Sequence, residues 1–236
     1  MTDPAVAPRA APPRTAAASA PDMIRAAILD LDGTLVDTLH DFVAVLQATL
    51  GELGHRAVDA TFVARAVGKG SEHLIRETLA EVGADASLYG HAWARYQHHY
   101  GRINGRHAAV FDGVIPGLER LRESGLKLAC LTNKPTAFAV ELLRLKGLAH
   151  HFEVVFGGDA FERRKPHPLP LLRCCEALGT APAHTLMIGD SRNDAEAARA
   201  AGCPVVLVTY GYNHGEPVRE VDADAFIERL DALPLA

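Results

Sequence analysis

From about residue 108 onward the chain alternates short apolar runs with amphipathic stretches. Leu126–Leu131 (LKLACL), FEVVFGG, TLMIGD and PVVLVTYG each read as a strand. Between and after them the spacing predicts helices near Thr136–Lys146, Pro168–Leu178, Arg192–Ala201 and Ala223–Leu230. Strands that alternate with helices of this length form βαβ units, and such units build a parallel sheet covered on both faces. The expected fold is therefore α/β, a doubly wound Rossmann-like parallel sheet.

One more apolar run, Ile24–Leu29, precedes this region and is separated from it by a stretch of different character. DFVAVLQATLGEL places Phe42, Val45, Leu46, Leu50 and Leu53 at helical spacing. SEHLIRETLAEVG repeats the pattern and stops at Gly83, and SLYGHAWARYQHHYGRI is a third helical candidate. No strand signal interrupts them, so Ile24–Leu29 has no partner there and joins the later sheet. The expected division is a disordered Ala/Pro-rich tail over 1–22, an α/β core formed by 23–37 and 108–236, and a small all-helical cap over 38–107, inserted after the first strand.

Composition narrows the function classes. The net charge of −5 argues against a nucleic-acid partner, because phosphate backbones need a basic face. No apolar stretch has the length of a membrane span, and the tail lacks the apolar segment of a secretory signal. Cys130, Cys174, Cys175 and Cys203 form no C-x-x-C pair and read as reduced, buried thiols of a cytoplasmic protein. The sequence is compatible with either a monomer or a homodimer.

In open parallel sheets ligands bind beyond the carboxyl ends of the strands. Asp30 and Asp32 follow Ile24–Leu29, Thr132 and Asn133 follow LACL, and Asp190 follows TLMIG, with Asp194 close behind. All would face one rim. Carboxylates this close repel unless a cation lies between them or one keeps its proton. A cluster of hard oxygens suits Mg²⁺, which shares its shell with substrate phosphate and water. Lys134 (TNKP) and Lys165 (RRKPHPLP) can balance an anionic ligand. Acids, a hydroxyl, a lysine and Mg²⁺ are the components of phosphoryl transfer, in which a carboxylate can serve as nucleophile.

DLDGTLVDT, LTNK, KPHP and GDSRND resemble, in order, the four motifs of the haloacid-dehalogenase-like (HAD) phosphohydrolases, over the chain from about residue 23 to its end. The helical insert resembles the small cap of that family. The resemblance implies that Asp30 is the nucleophile and lends an oxygen to Mg²⁺. It implies that Asp32 is the general acid/base and offers its backbone carbonyl to the metal. Thr132 and the Asn133 backbone would hold the phosphoryl group, Lys165 would steady the charge, Asp190 would ligate Mg²⁺, and Asp194 would support it. Gly33 would let the chain turn sharply beside the phosphate. GDSRNDAEAARAAGC with VTYGYNHGEP is similar to the bacterial phosphoglycolate phosphatases of this family. That likeness implies a small phosphorylated metabolite, 2-phosphoglycolate, as substrate. Another small phosphomonoester, a sugar phosphate or nucleoside monophosphate, is the alternative. A 2-haloacid dehalogenase is a further one, although that chemistry needs neither Mg²⁺ nor the second aspartate.

Some residues carry two readings. SRND is also a capping box joining Ser191 and Asp194 at a helix start. VGKG, Val67–Gly70, is either a plain turn or a loop that brings Lys69 to a substrate carboxylate. Tyr210 and Tyr212 either border the pocket or simply pack. The linkers near Asp37–Thr38 and His107–Asp112 are the expected hinges of cap closure.

Overall fold

Ala26–Leu29 has no exposed surface at any of its four residues and forms β1. A strand buried on both faces belongs in the middle of a sheet with a layer on either side. The computed structural model describes residues 23–234, so the tail expected over 1–22 lies outside it. After β1 come the strands β2 (Val36–Asp37), β3 (Ala109–Val110), β4 (Lys127–Leu131), β5 (Val154–Phe156), β6 (Thr185–Gly189), β7 (Val205–Val208) and β8 (Ala225–Ile227). The helices are α1 (Leu39–Glu52), α2 (Ala60–Ala66), α3 (Ser71–Glu81), α4 (Tyr89–Ile103), α5 (Val114–Glu123), α6 (Thr136–Leu145), α7 (Leu169–Leu178) and α8 (Arg192–Ala201).

Six strands make one sheet in the order β5-β4-β1-β6-β7-β8, every pair parallel. The chain leaves β1 on one side through β4 and β5, then crosses to β6 on the other. That reversal beside β1 opens a crevice at the carboxyl ends of the strands. Alternate residues of β1 feed the two layers. Ala27 and Leu29 pack with Val114 and Leu118 of α5 and with Ala139 and Leu142 of α6. Ala26 and Ile28 pack with Leu171, Cys174 and Cys175 of α7 and with Ala195 and Ala198 of α8. All four cysteines are buried and free. Among the described residues no helix is long and apolar enough to cross a membrane.

The cap helices α1–α4 have a core of their own, including Val45, Leu46, Leu74, Ile75, Tyr96 and Tyr100. The short α2 was not anticipated; Asp59 caps it by accepting a hydrogen bond from Phe62 N at 2.8 Å. The two linkers to the core meet where hinges were expected, because β2 and β3 pair antiparallel with Val36 opposite Val110. Asp41 of α1, fully buried, ties the returning linker by accepting from Gly105 N at 2.6 Å and His107 N at 2.7 Å.

Two expectations fail. The helix expected over Ala223–Leu230 is instead the edge strand β8 followed by a short turn at Leu230–Ala232. Pairing of Phe226 with Leu207 and of Ile227 with Val208 decides it, with buried Ile227 and half-buried Phe226 on opposite faces. Helix α5 escaped notice because Pro116 and Gly117 look like breakers. Pro116 lies in the first turn, where its missing N–H loses no bond. Gly117 is required by close approach, since a Cβ there would sit 2.6 Å from Leu230 Cγ and 2.9 Å from Asp231 N.

Asp41→Ala removes the acceptor of two part-buried N–H groups and should lower unfolding stability by about 1–3 kcal/mol. Urea denaturation checks this; a change below about 0.5 kcal/mol would show that the linker does not depend on Asp41.

Candidate active site

The ends of β1, β4 and β6, with the loop before α7, bring the expected residues to one place. Asp30 ends β1 and is anchored by its own loop, since Leu31 N donates to Asp30 Oδ1 at 2.7 Å. Lys165 reaches it from the loop before α7, with Nζ 3.0 Å from Asp30 Oδ1. The same Nζ donates to Asp194 Oδ1 at 2.7 Å and to the Leu131 carbonyl at 2.9 Å, so all three of its N–H groups have acceptors. A carboxylate oxygen from each of Asp30, Asp190 and Asp194 lies within 4.8 Å of the other two.

Asp194 fills the capping role that its sequence offers and also joins the acid cluster. Its Oδ2 closes the capping box by accepting from Ser191 N at 3.1 Å and Ser191 Oγ at 2.8 Å. Its Oδ1 takes the Lys165 bond. Asp190 accepts from Thr34 Oγ1 at 3.4 Å and from Tyr212 N at 2.8 Å. Gly33 has a left-handed φ of +84°, and a Cβ there would lie 2.5 Å from Asp190 Oδ2, so glycine is needed both for the turn and for the approach.

Asp32 turns away from this cluster. It pairs with Lys134 Nζ at 2.7 Å. That lysine is only 4% exposed and lies 4.6 Å from the Phe42 ring centroid and 4.9 Å from that of Tyr100, both in the cap. Its position beside Asp32 was not anticipated. The signal available was its place directly after Thr132 and Asn133. Thr132 Oγ1 accepts from Lys134 N at 3.2 Å, which leaves the hydroxyl proton free to donate into the site. Asn133 is a clip: Nδ2 donates to Lys165 O and to Gly68 O of the cap, each at 2.9 Å, and Oδ1 accepts from Lys165 N at 3.1 Å.

These groups surround a small pocket lined by Asp30, Asp32, Thr132, Asn133 and Lys134 from the core. Val67, Gly68, Gly70, Ser71 and Leu74 close it from the cap. Lys69 is not brought to it. With the Gly68 carbonyl held by Asn133, the exposed Lys69 lines a neighbouring cleft with Arg163 and Arg164.

Four carboxylates meet two ammonium groups here, so the ionised cluster would carry two uncompensated negative charges. Burial pushes the Asp30 carboxyl up to about 7; Lys165 opposes the rise, while Asp194 and Asp32 add to it. Burial pushes Asp190 up to about 8, with Asp194 and Asp30 adding to the effect. Burial also works against the charge on Lys165, but Asp194 and Asp30 outweigh it and hold the ammonium above its usual range. The donor set is made of hard oxygens and lacks one divalent positive charge, so it fits Mg²⁺. Asp30 and Asp190, with Asp194 beside them, are the side chains that could hold such an ion.

Residues 27–208 match the sequence model of the haloacid dehalogenase-like hydrolases. The chain belongs to that family. This hydrolase is 44% identical over 215 residues to a phosphoglycolate phosphatase of Thiobacillus denitrificans, covering 90% of this chain and 95% of that one. It is 43% identical over 211 residues to a plasmid-borne phosphoglycolate phosphatase of Cupriavidus necator, covering 89% and 91%. Its fold matches a solved structure from Haemophilus somnus, described as a predicted phosphoglycolate phosphatase, with a TM-score of 0.85, 29% identity and coverage of 88% and 95%.

Folded-state pKa values above the unfolded 3.8 mean that the folded hydrolase keeps protons the unfolded chain has released. That stability is complete below about pH 4 and drains away as pH climbs toward 8. In metal-free protein, the stability of Asp190→Asn relative to the unsubstituted chain should therefore rise by roughly 2–4 kcal/mol between pH 5 and pH 8. Denaturant titrations at both pH values measure it. A difference that does not vary with pH would mean the carboxylates are not in conflict.

Proposed function

We propose that this hydrolase is a Mg²⁺-dependent phosphatase that converts 2-phosphoglycolate to glycolate and phosphate through an aspartyl-phosphate at Asp30. The observation that carries the reading is the meeting of Asp30, Asp190 and Asp194 around Lys165, next to a cavity whose floor also holds Asp32 and Thr132. Mg²⁺, held by Asp30, Asp190 and the Asp32 backbone carbonyl, would supply charge neutralisation for the phosphoryl oxygens.

The chain's own groups then divide the work. Thr132 Oγ1 donates to a phosphoryl oxygen, and Lys165 favours the ionised form of Asp30 and aims it. An Asp30 oxygen attacks phosphorus, the bond from phosphorus to the glycolate oxygen breaks, and a proton from the Asp32 carboxyl goes to that oxygen. Asp32, now ionised, takes a proton from water; the water oxygen bonds to phosphorus and the bond to Asp30 breaks, which releases phosphate and restores both acids. Phosphate monoesters are among the slowest substrates in water, so exclusion of bulk solvent by the cap matters.

The cap side of the cavity supports a short, anionic leaving group. Gly70 and Ser71 open α3, whose first N–H groups receive no side-chain cap. The positive end of that helix and the Ser71 hydroxyl suit a carboxylate two atoms beyond the phosphate ester oxygen. The same chemistry is named in the relatives from Thiobacillus denitrificans and Cupriavidus necator.

Phosphate release from a panel of esters, with and without Mg²⁺, tests the reading. 2-Phosphoglycolate should lead the panel, and chelation should abolish turnover. Preference for hexose phosphates would move the substrate elsewhere in the family, and turnover surviving chelation would remove the metal. Asp30→Asn should lower kcat by at least about 10³-fold with the fold intact by circular dichroism. Retained turnover would identify a different nucleophile.

A further inference from the structure

The loop after β7 does more than close the sheet. It is fixed to the core at three points, the first being the Tyr210 hydroxyl, which donates to Thr34 O at 2.8 Å. Tyr212 N donates to Asp190 Oδ2 at 2.8 Å, and Asn213 Oδ1 accepts from Arg192 N, the first residue of α8, at 2.9 Å. From that base it reaches both ends of the cap.

At the root of the cap, the Tyr212 hydroxyl donates to Asp37 Oδ1 at 2.7 Å and accepts from Thr38 N at 2.8 Å and Leu39 N at 3.0 Å. Those N–H groups open α1, and the Thr38 side chain does not cap that helix. A core tyrosine therefore caps the first cap helix through space, at the hinge itself. At the far end, the His214 ring lies under the Gly68 loop: a Cβ on Gly68 would come 2.9 Å from His214 Cε1. Asn193 Nδ2 joins the two, 3.1 Å from His214 Nε2 and 3.2 Å from Gly68 O.

The backbone conformation supports a purpose. Asn213 and His214 both have left-handed φ, +37° and +54°, and they are the only residues other than glycine with positive φ among those described. Such a conformation is unfavourable for a residue with a Cβ and persists only where the surroundings enforce it. Glycine at 214 would satisfy the backbone better; histidine supplies the ring under Gly68.

We propose that the loop Tyr210–Gly215 is a latch that holds the cap over the site, with Tyr212 at the hinge and His214 under the cap loop as its positioning residues. Neither contacts substrate. Through Tyr212 the latch joins a carboxylate of the metal-binding cluster to the hinge, so the groups that orient Asp190 also set the cap.

Hydrogen–deuterium exchange on the full-length, substrate-free protein tests this without reference to which ester is hydrolysed. Tyr212→Phe removes only the hydroxyl. If Tyr212 merely caps α1, exchange accelerates at Thr38 and Leu39 alone. If it is half of a latch, the remote segment Val67–Ser71 also exchanges at least about tenfold faster. His214→Gly is the reciprocal variant. It should leave the melting temperature unchanged or higher, because glycine accepts the left-handed backbone, while exchange accelerates at Thr38 and Leu39. Acceleration confined to the neighbourhood of each substitution, or a lower melting temperature with uniform acceleration in His214→Gly, would overturn the latch. Either result leaves the substrate assignment to the phosphate-release panel.

Discussion

A buried ammonium organises this protein. Lys165 Nζ bonds to Asp30 at the end of β1, to Asp194 in the first turn of α8 and to the carbonyl of Leu131 at the end of β4. Three separate parts of the chain converge on one nitrogen. The geometry follows from the sheet, because parallel strands running from the same layer deliver all their carboxyl ends to one rim. One ammonium cannot balance the acids gathered there, even with Lys134 beside Asp32. The raised Asp30 and Asp190 carboxyls express that deficit, and a divalent cation removes it. The fold thus accepts instability at this rim, where the proposed metal and phosphate would meet.

The cap is built to cooperate with that rim. Its linkers are paired by β2 and β3 and tied again by Asp41, so both crossings behave as one joint. Asn133 and Asn193 then bind the carbonyl of Gly68, which carries the cap loop down to the motif residues. In the proposed reaction this arrangement would serve twice: closing would exclude water, and Asn133 holds the Lys165 backbone at both its N–H and its carbonyl.

Much of this was legible in the sequence. DLDG, TNK and GDSRND each follow an apolar run that ends at the rim, and the resemblance to the family motifs adds KP from the loop before α7. The linkers that pair as β2 and β3 were legible too, as the borders of a helical insert. What escaped depends on partners distant in sequence. Phe226 and Ile227 alternate too briefly to reveal β8 until Leu207 and Val208 pair with them. The breakers in α5 become tolerable only once Leu230 and Asp231 are seen to pack on Gly117. Lys134 reads only as a base that could balance an anionic ligand until Asp32 and two cap aromatics are seen around it. Tyr212 left two readings open, and only the position of Asp37 and the start of α1 shows what its hydroxyl does.

The central claim is that acids from β1 and β6 jointly hold one divalent ion. Titration of the protein with Mn²⁺, followed by electron paramagnetic resonance of the free ion, measures this without any substrate. One tight site per chain is expected, competed by Mg²⁺ and weakened at least about tenfold by Asp190→Asn. An absence of saturable binding, or equal affinity in the variant, would contradict the account.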